Sequence, residues 1–395
     1  MTKPDDDTHD GAEQPPPARA AATDATAAST TDSATDSAAA SPADSAADSA
    51  ADSAADSAVG SERKGRPTMA DVARAAGMST ALVSIVIRGV PGASDETRRR
   101  VLRIADELGY VPDHRAQKLR RSSSRVLGVV FELQQPFHGD LVEHLYAAAA
   151  RHGYEAVISA VAPSRAESTA VNALLRERCE AAVLLGSRLS DEELERLARR
   201  LPTLLVARRS GLASVGSVRG DDTVGIGLAV DHLVGLGHRR IAHIDGAGAP
   251  GSSDRRLGFL QGMADHGLAD SADVLAGGLT EEAGAEGMRH LLDRPVPPPT
   301  AVIAFNDRTA TGVLDVLAHR GRKVPAEISV VGYDDSRLAK MPHVQMTTVS
   351  QDAAAMADAA VTAALDLIKG GTPQQTVLMP HLVERATTGP APTPR

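Results

Sequence analysis

The sequence predicts an α/β protein of two doubly wound parallel-sheet lobes, preceded by a small all-α module and a disordered N-terminal tail. Three observations predict it. From Arg125 onward, short apolar runs alternate with helical patterns, as in parallel sheets covered on both faces. From Pro67 to Leu119 the pattern is helical throughout. Residues 1–60 are dominated by Ala, Ser, Asp, Thr and Pro, with "ADSA" recurring from Ala43 to Ala58.

The tail carries almost nothing apolar that is large, so it cannot offset the entropy cost of ordering itself. Its charge distorts the whole-chain figure. The 395 residues sum to -9, yet residues 1–62 hold 13 acidic and 2 basic groups, a net of -11. Residues 63–125 hold 14 Lys/Arg against 6 Asp/Glu, a net of +8. Such a concentration is either a solvated basic face or the electrostatic footprint of a phosphate-binding surface.

In the all-α module, Thr68 caps "MADVARAAG", with Asp71 at capping-box spacing. After the turn "MST" comes "ALVSIVIRG", and Ser94 then caps "DETRRRVLRIADELG". Pro112 allows one further short helix, "DHRAQKLRR". The stretch "STALVSIVIRG" is apolar on more than one side. Val83, Val86 and Ile87, at i, i+3, i+4 spacing, suit a core face. Ser79, Thr80, Ala81, Ser84, Ile85 and Arg88 fall on the other side. Two helices with a short Gly-containing turn have the form of a helix-turn-helix. In a major groove an apolar side chain meets the thymine methyl; otherwise Leu82 and Ile85 pack on a neighbouring helix.

In the body, "RVLGVVFEL", "YEAVISAV", "AAVLLG" and "TLLVAR" read as strands, with "EHLYAAAARHG", "ESTAVNALLRER" and "DEELERLARRL" as helices between them. A second series runs through helix "GIGLAVDHLVGLG", strand "RRIAHIDG", helix "RRLGFLQGMADHG", strand "TAVIAFND", helix "RTATGVLDVLAHRG" and strand "ISVVGYDD". Helix "AAAMADAAVTAALDLIKGG" and strand "TVLMPHLVER" close the chain.

Composition excludes several functions. The single cysteine, Cys179, rules out a disulfide framework and a multi-cysteine metal site, and fits a reducing compartment. The acidic N-terminus lacks an apolar signal region and no run reaches transmembrane length, so the expected location is the cytoplasm, with no membrane partner. "GAGAPG", Gly246 to Gly251, matches a dinucleotide fingerprint, but Pro250 interrupts it, the helix begins only around Asp254 and "VLAGGL" ends without an acid. It reads as a mobile loop lining a pocket. His138, His144 and His152 lack metal-ligand spacing with a second donor, and His238 ends a helix, where a cation is welcome. No catalytic set, metal or cofactor is expected.

The run "PTMADVARAAGMSTALVSIVIRGVPGASDETRRRVLRIADELGYVPDHRAQKLR" closely resembles the DNA-binding headpiece of the lac repressor-type (LacI/GalR) transcription regulators. The resemblance extends to Arg385 through "QQPFHGDL", "HLVGLGHRRIAHI", "RRLGF", "AFNDRTATGVL", "VPAEISVVGYDD" and "TTVSQ". It implies a homodimer or higher oligomer on a pseudo-palindromic double-stranded DNA operator. It further implies a periplasmic-binding-protein-like body holding a small effector, a carbohydrate or similar, between its lobes. By position, Thr80, Ala81 and Ile85 become base readers and Leu119 the minor-groove wedge, which unstacks a base step. Thr68, Ser79, Ser84, Arg88, Arg115 and Lys118 complete the expected DNA-binding set. The chain departs from the family where Leu82, Ile85 and Arg88 replace the usual threonine, arginine and asparagine, which moves base preference towards thymine at one position.

The same resemblance places Phe137, Arg208, Arg255, Asn306, Asp307 and Asp334 in the effector pocket. Arg255 and Asp307 can hydrogen-bond adjacent hydroxyls, and Phe137 or Phe305 offers a face to a sugar ring. Asp307 can equally cap the helix starting at Arg308, and Arg255 can be a surface residue. The expected division is a tail over 1–64, a headpiece over 66–111, a hinge helix and linker over 112–124 and a body over 125–395. The first lobe takes about 125–221 plus 352–369, the second about 222–351 plus 370–395. The expected function is a ligand-controlled repressor and not an enzyme; the alternative is a solute-binding protein feeding a transporter, which would need no headpiece. Deleting residues 1–60 is expected to leave the thermal unfolding midpoint nearly unchanged in calorimetry; a large drop would show that the tail packs.

Overall fold

The structure, a computed structural model, describes residues 67–111 and 123–393. The expected tail and the hinge helix, with Arg115, Lys118 and Leu119, lie outside the described residues.

The headpiece consists of α1 (Met69–Ala76), α2 (Thr80–Ile87) and α3 (Asp95–Glu107). Thr68 and Asp71 form the capping box at α1, and Gly77, at φ 65°, ends that helix in the left-handed conformation that only glycine adopts cheaply. Ser79 and Ser94 cap α2 and α3. The axes of α1 and α2 bend by 109°, which suits a helix-turn-helix. Val72, Ala76, Val83, Val86, Val101 and Ala105 form its small core, with Ile87 packed partly against it.

The body holds two six-stranded sheets. The elements of the first lobe are β1 (Val126–Glu132), α4 (Pro136–Arg151), β2 (Glu155–Val161), α5 (Glu167–Arg176), β3 (Ala181–Leu185), α6 (Asp191–Ala198), β4 (Thr203–Val206) and β5 (Gly216–Gly220). The second lobe has α7 (Asp222–Gly235), β6 (Ile241–Ile244), α8 (Ser252–Asp265), a 3-10 turn at Ala269–Ser271, β7 (Ala272–Leu275), α9 (Glu281–Asp293), β8 (Ala301–Ala304), α10 (Asp307–His319), β9 (Ser329–Asp334) and β10 (Thr347–Ser350). The chain then returns through α11 (Ala353–Ile368) and β11 (Gln375–Leu378), and crosses once more into β12 (His381–Val383).

The first sheet has the order β11-β5-β4-β3-β1-β2 and the second β12-β10-β9-β8-β6-β7. All pairings are parallel except that of β12 with β10. Helices cover both faces, as strands buried on both sides demand. On the first sheet α4 and α11 pack one face through Leu141, Leu145, Met356 and Ala360, and α5 and α6 the other through Leu174 and Leu194. On the second, α7 and α8 supply Ile226 and Phe259, and α9 and α10 supply Met288 and Val313.

The lobe boundary departs from the sequence reading at the C-terminal end. The single strand expected over "TVLMPHLVER", placed with all of 370–395 in the second lobe, is two strands in different sheets. β11 pairs with β5 of the first lobe, and β12 with β10 of the second. Pro380 sits between them and has no N–H to continue a ladder. The chain therefore crosses three times between lobes, at Asp221, at Gln351–Asp352 and at Met379–Pro380.

α9 and α10 pack closely through glycines. A Cβ on Gly312 would lie 1.8 Å from the Glu281 carbonyl oxygen, and one on Gly284 would lie 2.0 Å from that of Thr309. Backbone cannot yield as a side-chain tip can, so the helices would have to separate. Gly312→Ala is expected to destabilise the protein by about 1–3 kcal/mol or more, read as a lowered midpoint in denaturant unfolding. An unchanged midpoint would show that α9 can shift freely.

Candidate functional site

The headpiece presents one face of α2. Ser79, Thr80, Ala81 and Arg88 are exposed, Ser84 and Ile85 half-buried, while Val83 and Val86 are buried. Leu82 is also half-buried, and neither Leu82 nor Ile85 belongs to the headpiece core. The Ile85 side chain lies beside Gly92, where a Cβ would come within 3.6 Å of its Cγ2. Some of the polar groups here are already engaged. The Ser79 hydroxyl accepts the Leu82 N–H at 3.2 Å, and Arg88 Nε donates to the Ser84 carbonyl at 3.0 Å. Thr68 Oγ1 lies 2.6 Å from Asp71 Oδ2, in the cap of α1. The face thus combines small hydroxyls and methyl groups with one cation at its end.

The two lobes enclose a cavity of about 250 Å3 at the C-terminal ends of their strands. This is where parallel α/β sheets bind ligands, because loops replace paired backbone there. The second lobe supplies Arg255, Asn306 and Asp334, with Phe305 beneath them. Phe137, Gln135 and His138 face them from the start of α4, and Gln351 comes from a crossover.

Arg255, in the first turn of α8, is the most constrained of these. Its Nε donates to Asp222 Oδ1 at 2.8 Å and its Nη1 to the Phe305 carbonyl at 2.6 Å. Nη2 lies 3.9 Å from Asp334 Oδ1. The guanidinium stacks over Tyr333, 3.6 Å from the ring centroid, and lies 4.5 Å from that of Phe305. Burial lowers its pKa, but its surroundings, Asp222 foremost, outweigh that and set the pKa above the ordinary value.

Asp334 sits at φ 110°, a conformation that costs a non-glycine residue energy and that its surroundings must enforce. Gln351 Nε2 donates to its Oδ1 at 2.7 Å. Burial pushes its carboxyl up to about 8, against the pull of Arg255. A carboxyl raised in this way keeps its proton to higher pH than a free aspartate does. His138 is the reverse case: burial lowers it to about 4, so it is neutral. Its Nδ1 accepts the Glu132 N–H at 3.1 Å, which leaves the proton on Nε2. Gly186 makes room for that edge, since a Cβ there would lie 2.8 Å from Nε2.

Four of the six expected pocket residues line the cavity: Phe137, Arg255, Asn306 and Asp334. Two do not. Arg208 turns away and donates its Nη1 to the carbonyls of Ser187 and Leu189, at 3.0 and 2.7 Å; its neighbour Ala207 faces the cavity. Asp307 is buried behind the wall. Its Oδ2 accepts from Ser336 N and Oγ at 2.7 and 2.8 Å, and its Oδ1 from Thr348 Oγ1 at 2.6 Å. Nor is Asp307 the cap. Asn306 caps α10 by accepting the Thr309 N–H at 2.8 Å. His238 is likewise not a helix-end cation. It is fully buried among Thr300, Ser329 and the Gly389 carbonyl, and burial lowers its pKa, so it is neutral.

Sequence reasoning missed Glu132, Gln135, His138, Arg188 and Gln351 as lining residues. Gln135 and His138 lie within "QQPFHGDL" and Gln351 within "TTVSQ", so the motifs carried a signal that was not resolved to side chains. Pro250 of the glycine-rich decoy does line the cavity, and α8 starts at Ser252, two residues earlier than expected. Among the described residues no group of His, Cys, Asp or Glu could hold a metal ion, and no single helix is long and apolar enough to cross a membrane.

Asp334 has a signed consequence for stability. Its folded pKa lies above its unfolded value, so between the two the folded chain holds a proton the unfolded chain has released. The stability it contributes is complete below the ordinary carboxylate range, falls as pH rises and is lost above about 8. Asp334→Asn cannot ionise, so its unfolding midpoint is expected to gain on that of the wild type from about pH 5 to about pH 9. Calorimetry across that range checks it, and a difference that shrinks with pH refutes it.

Comparison with known proteins agrees with this geometry. Residues 68–113 match the model for bacterial regulatory proteins of the lacI family, and residues 230–388 that for a periplasmic binding protein-like domain. The HTH-type transcriptional repressor CytR of Escherichia coli K12 is 32% identical over 308 residues, covering 77% of this chain and 90% of CytR. The HTH-type transcriptional regulator MalR of Streptomyces coelicolor is 34% identical over 345 residues, covering 83% and 98%. Among solved structures, a LacI transcriptional regulator from a Rhodococcus species is 68% identical and covers 68% of this chain and 100% of its own, with a TM-score of 0.67. The lac repressor dimer bound to operator and the anti-inducer ONPF is 28% identical, covers 82% and 100%, and has a TM-score of 0.70. The CelR–cellobiose complex is 30% identical, with the same coverage and a TM-score of 0.59. A helix-turn-helix headpiece and a two-lobed cleft, in this order and at these identities, place the chain in the lacI family of bacterial regulatory proteins.

Proposed function

We propose that this chain is a sequence-specific DNA-binding repressor whose operator affinity is set by a small carbohydrate-like effector held between the two lobes. The observation that carries the reading is a cleft lined by fixed polar groups in the same chain as a helix-turn-helix headpiece. A transporter's solute-binding protein would have no use for the headpiece. The reading places the chain in the cytoplasm, as a homodimer or higher oligomer on a pseudo-palindromic operator, without enzymatic activity.

The cavity chemistry suits a polyhydroxylated ligand. The Asn306 and Gln351 amides, the Asp334 carboxyl and the neutral His138 N–H offer donors and acceptors around a cavity also lined by Phe137 and Phe305. Arg255 contributes charge but has spent part of its fork on Asp222 and Phe305. On the DNA side, Thr80, Ala81 and Ile85 read the major groove, with Ile85 against a thymine methyl. Thr68, Ser79, Ser84, Arg88, Arg115 and Lys118 lie along the backbone, and Leu119 enters the minor groove. A ligand acts only through its different affinity for two arrangements of the lobes. Lobe closure turns the first lobes, from which the linkers depart, and so separates or aligns the two wedges.

The test begins with a duplex selected from a random pool by the full chain, and a thermal-shift screen of sugars and nucleosides. Asn306→Ser keeps an N-cap hydroxyl while withdrawing the amide from the cavity. It is expected to weaken binding of the ligand found by the screen at least about tenfold, or about 1.4 kcal/mol, with ligand-free DNA affinity within about threefold of wild type, by fluorescence anisotropy. Failure of the wild type to enrich any sequence would sink the repressor reading. A wild-type ligand response from Asn306→Ser would sink the pocket assignment.

A further inference from the structure

One side chain ties down the C-terminal end of the linker. Glu180 lies immediately before β3, half-buried. Its Oε1 accepts from Ser123 Oγ at 2.6 Å and from the Arg125 N–H at 2.9 Å, with Ser124 Oγ 3.3 Å away. Its Oε2 accepts from the Tyr154 hydroxyl at 3.0 Å. The Ser124 hydroxyl gives its one proton to the Arg178 carbonyl at 2.6 Å. Burial alone would raise the Glu180 pKa, yet these donors prevail and lower it.

Ser123 to Arg125 are the residues that join residues 112–122 to β1. They contribute nothing to the apolar cores of the first lobe, and the β1 ladder starts only at Val126. Arg125 takes φ 50°, so the chain turns sharply there in a conformation unfavourable to a residue with a Cβ. The turn is held from both sides, by Glu180 on the Arg125 N–H and by the Glu155 N–H on the Arg125 carbonyl. A segment with no apolar anchor is thereby fixed by one carboxylate that reaches β1, β2 and β3 together.

We propose that Glu180 is a positioning residue for DNA binding: it sets the point and direction at which the linker leaves the first lobe, so that rotation of the lobe is passed to the linker and not absorbed by Ser123–Arg125. The proposal rests on the repressor reading, but its mechanical half can be tested without DNA.

Full-length Glu180→Ala, the double variant Ser123→Ala/Ser124→Ala and the triple variant are compared with wild type. In limited trypsin digestion without DNA, cleavage after Arg125 is expected to be faster in every variant, because the joint opens locally. On the selected duplex, Glu180→Ala is expected to bind about tenfold more weakly, with affinity for a scrambled duplex within about twofold. The double variant should lose part of the same affinity, and the triple variant should be no weaker than Glu180→Ala, since all act through one joint. Unchanged cleavage after Arg125 in Glu180→Ala overturns the proposal. So does equal loss on both duplexes, or additive losses in the triple variant. If Glu180→Ala does not fold, the double variant, which keeps the carboxylate, decides by the same two measurements.

Discussion

The buried guanidinium of Arg255 is the interaction on which the second lobe and the cleft both depend. A charge removed from water is costly unless its hydrogen bonds and counter-charges are supplied. Here they come from separate elements. Asp222 opens α7 directly after a crossover, the Phe305 carbonyl follows β8, and Tyr333 and Asp334 end β9. The requirement to satisfy one cation therefore brings strand ends and two helix starts to a common point, and that point is the cavity wall. Truncating Arg255 would leave two buried carboxyls without their partner, so its loss would be felt first as a folding defect.

Two buried carboxyls near this centre show how local partners separate roles. Asp307 has three internal donors and faces away from the cavity, locking the start of α10 to the segment after β9; burial still raises it to about 6. Asp334 faces the cavity with a single amide donor and a cation at 3.9 Å, and burial raises it too. The first is a structural tie. The second leaves its carboxyl on the cavity wall.

The fold was legible where an element carries an apolar period. Strands such as "AAVLLG" and helices such as "RTATGVLDVLAHRG" announce themselves. The elements overlooked do not: β5 is "GSVRG", β7 is "ADVL", β10 is "TTVS", and α9 carries two glycines that read as breakers. Gly284 is where α10 approaches most closely and Gly287 is where Ile244 of β6 does, so what obscures the helix in sequence is what lets it pack. In the cleft, motif position located the wall but not side-chain direction. Arg208 and Asp307 sit on the right segments and turn elsewhere, because carbonyls and hydroxyls from distant residues offer them better partners. The headpiece was the most legible part, since caps and core spacing there are local.

The three crossings have a consequence for how the chain is made. The first lobe is not a continuous stretch: its sheet is complete only when β11 pairs with β5, and one face is covered only when α11 arrives. A ribosome delivers the headpiece and β1 to β5 long before residues 353–378 emerge. Until then β5 is an open edge beside an apolar face, a template for pairing with another chain. The second lobe is nearly whole by β10, so the half synthesised later is able to close first. Nascent first lobes must wait, exposed, through the synthesis of the entire second lobe, and chaperone demand should concentrate in that interval.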